Sequence, residues 1–205
     1  MNQPDTMKKI LYELAAVLLI AAAATGCGNR KAAKQDATEP AAQSVAEAAA
    51  ETETCFTAID KYLTDSIGRH YASGDFCIPF HNYIAVDESN PDDIKVWGDF
   101  WVDNYTQSGD TLKTVSGGNH PGLMHVRQTG EHFEVTAFDP VLDGSEFLPS
   151  ARRIFGEKYD DFAKAQADDK KRDQIRGEVI SAYVKQKKLP VRFYQDYGWP
   201  AVALK

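Results

Sequence analysis

The stretch Val96-Trp97-Gly98-Asp99-Phe100-Trp101-Val102-Asp103-Asn104-Tyr105 decides the fold. Side chains of a β-strand alternate between two faces. Ile94, Val96, Phe100 and Val102 therefore form one apolar set, and Trp97, Asp99, Trp101, Asp103 and Tyr105 form the opposite one. The first set is an ordinary core face. The second interleaves three aromatics with two acids, and a solvated strand face rarely carries two Trp.

On both sides of this strand the pattern keeps period two, interrupted by turn-forming clusters. Strands are expected at about 76–86, 94–106, 111–117, 122–129 and 132–139. The acidic run at 87–93, Ser108-Gly109-Asp110 and Thr129-Gly130-Glu131 read as connections. The run Gly117-Gly118-Asn119-His120-Pro121-Gly122 reads as a further turn, its glycines supplying positive φ. The last three connections are short, so the last four strands should form an antiparallel meander. Before the sheet, Cys55, Ile59, Leu63 and Ile67 recur at helical spacing, and Gly68 ends the pattern. After Pro149 the helical period returns, with Ser150 as a cap and Ile154, Phe155, Tyr159 and Phe162 as one stripe. A second helix carries Ile175, Val179, Ile180, Tyr183 and Val184. The tail from Leu189 holds Phe193, Tyr194, Tyr197 and Trp199, and so many aromatics should dock on the domain. The expected fold class is α+β: an N-terminal helix against an antiparallel sheet of about five strands, with C-terminal helices.

Composition fits this. The chain has 205 residues, 43% of them hydrophobic, with 30 acids, 23 bases and a net charge of −7. That is enough apolar material for a core. The acidic balance disfavours nucleic acid, whose phosphates are bound by clustered Lys and Arg.

One helix followed by a curved antiparallel sheet resembles the cystatin-like and nuclear-transport-factor-two-like architecture. The segment around Trp97, Asp99 and Trp101, followed by Gly117-Gly118-Asn119-His120-Pro121-Gly122-Leu123-Met124-His125, is similar to segments of lipoproteins from gut bacteria. This resemblance spans roughly residues 76–199 and implies the fold, but brings no activity with it.

In folds of this architecture the concave side of the sheet often lines a pocket, which makes Trp97, Asp99, Trp101, Asp103 and Tyr105 candidate ligand-binding residues. His125 and Arg127 join them if the following strand turns the same face inward. The plainer alternative is that C-terminal helices or the tail cover both Trp rings. His120 and His125 lack a third His or Cys at ligand spacing, so no metal site is expected. The 87–93 loop lacks the ligand alternation of a calcium hand. No nucleophile elbow, phosphate loop or dinucleotide fingerprint occurs, and no cofactor is implied.

The amino end has a different logic. Lys8 and Lys9 precede thirteen uncharged residues, 14–26, too few for a membrane span of roughly 20 residues. They end in Ala24-Thr25-Gly26-Cys27, which resembles the bacterial lipobox, with Ala24 where Leu is usual. Residues 1–26 then form a lipoprotein signal peptide, and Cys27 receives the fatty acyl chains. Residues 27–50 contain no aromatic and balance Arg30, Lys31 and Lys34 against Asp36, Glu39 and Glu47. They read as a flexible linker, and residues 51–205 as one domain carrying the whole net charge. With Cys27 acylated, Cys55 and Cys77 remain; outside the cytoplasm they are expected to pair as a disulfide, the alternative being two buried, unpaired thiols. A catalytic Cys77 with His81 is disfavoured, because four strand residues separate them by roughly 13 Å.

Three functions follow. The first is a non-enzymatic binding or sensing module on the extracytoplasmic face of the cell membrane or outer membrane, taking a small-molecule or protein ligand. The second is a pocket enzyme of the dehydratase, isomerase or hydrolase type, with Asp99 or Asp103 as base and His125 as acid. The third is a protein-interaction module. Acylation makes the bilayer a partner in all three, each buried methylene contributing ~0.8 kcal/mol. Wild-type protein should therefore sediment with membranes and take up a labelled fatty acid, while Cys27→Ser becomes soluble. An unlabelled wild type would remove the anchor from the account.

Overall fold

The computed structural model describes residues 53–205, so the signal segment, Cys27 and the linker lie outside the described residues. Helix α1 spans Cys55–Tyr62. Thr54 caps it: its hydroxyl accepts the Thr57 N–H at 3.2 Å, and the Thr57 hydroxyl accepts the Thr54 N–H at 2.9 Å. A π-helical turn at Leu63–Ile67 and a 3-10 turn at Gly68–His70 continue it. Strands β1 (Phe76–Asp87), β2 (Ile94–Ser108), β3 (Thr111–Thr129) and β4 (His132–Pro140) follow as an antiparallel meander. Helices α2 (Phe147–Phe155), α3 (Tyr159–Ala167) and α4 (Asp169–Gln186) come next. The tail supplies β5 (Phe193–Gln195), parallel to β3, and β6 (Val202–Ala203), antiparallel to β5. The order β1-β2-β3-β5-β6, with β4 also on β3, makes a curled sheet of six strands. The α+β expectation holds.

The two faces of β2 are used as its alternation requires. Ile94, Val96 and Phe100 join Met124 and Val126 of β3 under Cys55 and Ile59 of α1 and Leu63 of the π-helical turn. The other face is covered by the C-terminal helices in two patches. Ile78, Tyr105 and Leu112 pack against Ile180, Val184, Val191 and Tyr194. Trp97 and Ile84 pack against Phe155 and Phe162, whose rings stack at 4.0 Å. Each fully buried side chain of this size contributes roughly 1.5–3 kcal/mol, so both faces are indispensable to a domain of ordinary stability.

Five sequence expectations need correction. The glycine-rich run is not a turn: β3 passes through it as one strand of 19 residues. None of Gly117, Gly118 and Gly122 has positive φ. A Cβ on Gly117 would lie 2.1 Å from an Asp103 carboxylate oxygen, and one on Gly122 would lie 2.4 Å from the Asp139 carbonyl. The glycines allow close approach rather than reversal. Pro121 is tolerated because β5 flanks only Thr111–Lys113 and β4 only Gly122–Thr129. Between them β3 has an edge, where a missing N–H costs little.

The helical stripe after Pro149 is two helices, because Gly156 adopts φ +52° and breaks the pattern. Ser150 lies inside α2 rather than capping it; its hydroxyl donates to the Glu146 carbonyl at 2.6 Å. The tail docks only in part. Tyr194 is buried, but Tyr197 is 97% and Trp199 71% exposed on the turn between β5 and β6. The expected disulfide is not formed: Cys55 and Cys77 are both free. Cys77 Sγ sits beside Gly68, thirteen residues along the helical segment from Cys55. At 1.5 Å per residue that is roughly 20 Å, far beyond the ~7 Å Cα limit for a bridge.

Candidate binding cleft

The aromatic-acidic face of β2 is real, but it is roofed. Trp97 donates its indole N–H to the Ile154 carbonyl at 2.9 Å, and Lys158 Nζ lies 4.2 Å from its ring centre. Trp101 stacks on Phe80 at 5.7 Å, with the Arg172 guanidinium 5.3 Å from its ring. Asp99 is 3% exposed; it accepts from Asn119 and, at 3.3 Å, from the Trp101 indole. Burial holds its carboxyl above the ordinary range despite those two donors.

His125 is on the same face, opposite Lys95, but does not meet the acids. Asp99 faces Pro121, four residues earlier on β3, a separation of roughly 13 Å. His125 Nδ1 pairs with Asp93 at 2.6 Å, and its Nε2 lies 3.6 Å from Asp139. Arg127 is exposed near the end of β3, opposite Glu134 of β4. The acid–base set of the enzyme reading is therefore not assembled. Neither thiol is primed: burial pushes Cys55 up to about 11, with Glu88 adding to it, and raises Cys77 as well. His81 Nε2 meets Asp60 at 3.0 Å and the Tyr83 hydroxyl at 2.9 Å. Among the described residues, no three His, Cys, Asp or Glu side chains are grouped as a metal site.

What the sequence did not single out is Arg176, on the inner face of α4. Its Nε donates to the Tyr105 hydroxyl at 2.9 Å, and its Nη atoms donate to both Asp196 oxygens at 2.7 Å. Nη2 also reaches Thr114 Oγ1 at 3.0 Å and Asp103 Oδ2 at 3.1 Å. Tyr105 in turn donates to Asp103 at 3.2 Å, and Thr114 to Asp196 at 2.6 Å. One cation thus ties α4 to β2, β3 and the tail. Burial raises Asp103, with Arg176 and Tyr105 opposing. Burial also works to raise Asp196, but the bidentate bond from Arg176 outweighs it and leaves that carboxyl low.

Beside this lock α4 and β6 enclose a cleft of about 630 Å³. One wall is Asp173, Gln174, Gly177, Glu178, Ser181, Ala182 and Lys185 of α4; the other is Val202, Ala203 and Lys205, with Tyr194 between. The Ser181 hydroxyl donates to the Gly177 carbonyl at 2.7 Å and accepts the Lys205 N–H at 3.3 Å. Gly177 is the unusual residue. A Cβ there would meet nothing within 4 Å, yet glycine inside a helix costs about 1 kcal/mol relative to Ala. No packing demand among the described residues explains it. An isolated glycine in a helical pattern is the sequence signal that could have pointed here. A second hollow of about 730 Å³, shallower, lies where α1, β1 and α4 meet, lined in part by Asp60, Thr64, Cys77 and Tyr183.

Compared with known protein families, curated proteins and solved structures, the chain matches none.

Asp196 gives a pH prediction. Its folded pKa lies below the unfolded value of about 3.9. Its stabilising contribution is therefore complete above that value and is lost as pH falls through the folded pKa. Urea midpoints measured from pH 6 down to pH 2 should fall more steeply below about pH 4 in wild type than in Asp196→Asn. Parallel curves would contradict the lock.

Proposed function

We propose that the protein is a lipid-anchored, non-enzymatic binding module of the bacterial cell envelope, with its ligand site in the cleft between α4 and β6. The anchor rests on the charged, apolar and small-residue order ending at Cys27, and on the resemblance to gut-bacterial lipoproteins. Binding rather than catalysis is supported by the separation of His125 from Asp99 and Asp103. The single observation that carries the site is Gly177. A helix that forgoes ~1 kcal/mol for bare backbone, with open space beside it among the described residues, keeps room for a ligand. The cleft volume falls within the range of small-molecule sites.

A second reading, a protein-interaction module, is favoured by the exposed Tyr197 and Trp199. Aromatics of this kind anchor interfaces, and two on one turn are more than scattered surface residues.

The test uses two substitutions at Gly177. Gly177→Ala should raise stability by about 0.5–1 kcal/mol, since the new methyl meets open space. Gly177→Leu should fold but fill the cleft and abolish the thermal shift that a screened ligand gives the wild type. Ligands that stabilise wild type and Gly177→Leu equally would place the site elsewhere.

A further inference from the structure

We infer that the α4–β6 cleft takes a short, extended peptide of three or four residues with free ends, lying alongside β6 as an added strand. The inference rests on the binding reading above and assigns its ligand class.

The backbone is the first reason. Among the described residues β6 ends the strand order and pairs on one side only, with β5. In that ladder Tyr194 opposes Val202, and the Leu204 N–H donates to the Arg192 carbonyl at 2.8 Å. Alternate residues of an antiparallel strand bond inward, so Val202 and Leu204 face β5 while Ala203 faces outward. Lys205 shares the outward phase, and its N–H reaches Ser181 on α4. The outward edge of β6 is therefore the one turned toward α4. Ala203 offers a donor and an acceptor across the cleft, the pair of groups that an added strand satisfies.

The second reason is shape. Gly177 and Ala182 of the helix and Ala203 of β6 all line the cleft, so a peptide backbone can pass among small side chains. From Asp173 to Ser181, where the Lys205 N–H closes the end, α4 rises roughly 12 Å. At about 3.3 Å per residue this is three or four residues of extended chain.

Charge is the third reason, and it sets direction. β5 runs back along α4, because Val191 packs near Val184 while Asp196 pairs with Arg176. β6 is antiparallel to β5 and so runs with α4. The open end of the cleft carries Asp173, Glu178 lies five residues further on near its middle, and the closed end carries Lys185 and Lys205. A peptide parallel to β6 places its ammonium at the acids and its carboxylate at the lysines. An antiparallel peptide would set each end against its own sign of charge.

The probe is trialanine, titrated calorimetrically into the full acylated protein in nanodiscs, alongside N-acetyl-trialanine, trialanine amide, acetate and a trisaccharide. Trialanine should bind, and capping either end should weaken binding about tenfold or more. Lys185→Gln should narrow the gap between acid and amide, and Asp173→Asn the gap between amine and acetyl. Indifference to capping overturns the direction and the free-end recognition. If trialanine fails while another probe binds and is blocked by Gly177→Leu, the peptide inference falls and the binding cleft stands. If no probe binds at the cleft, both fall.

Discussion

A guanidinium buried beneath α4, among Phe80, Tyr105 and Tyr194, governs the far side of this protein. Arg176 and Asp103 keep only 12% and 10% of their side-chain surfaces in water. Removing one partner of such a pair costs about 3–5 kcal/mol, because the other charge is left desolvated. Against a whole-domain stability of about 5–15 kcal/mol, that is a large share. The hydrophobic clusters on either side supply more total energy, but apolar contacts are non-directional and would tolerate α4 sliding along the sheet. The forked bonds to Asp196, Tyr105 and Thr114 do not tolerate it. They fix where α4 and the tail sit, and hence the width of the cleft. Arg176 is locked inward while its neighbour Gly177 lies bare on the cleft wall.

Much of the architecture was legible because hydrophobic period dominates it. The alternation through 94–105 marks both faces of β2, and a cover over Trp97 and Trp101 is one of the two arrangements it allows. The run at Gly117–Gly122 misled because glycine serves two physical ends, reversal and close approach, which sequence spacing does not distinguish. Only the positions of Asp103 and Asp139 against it reveal which applies. Arg176 was invisible for a related reason. It belongs to a helix rich in charge, where one arginine looks solvated until its partners arrive from β2, β3 and the tail. Asp103 looked like a pocket acid and proves to be half of an ion pair. The tail divided at its turn: β5 has a neighbour in β3, whereas Tyr197 and Trp199 project from the bend around Gly198.

The functional reading inherits this division. A face that sequence pattern marks as chemically odd has been consumed in holding the domain together. The unfilled space lies one residue away, on the other side of the same helix. The cleft needs no motion of the core to be reached, only the open edge of a two-residue strand.

Native-state hydrogen exchange on Arg176→Met, compared with wild type, tests the lock most directly. The account predicts that the amides of Leu204 and Lys205, bonded to Arg192 and Ser181, lose most of their protection, while Val96 and Met124 beneath α1 keep theirs. Undiminished protection at Leu204 and Lys205 would contradict it.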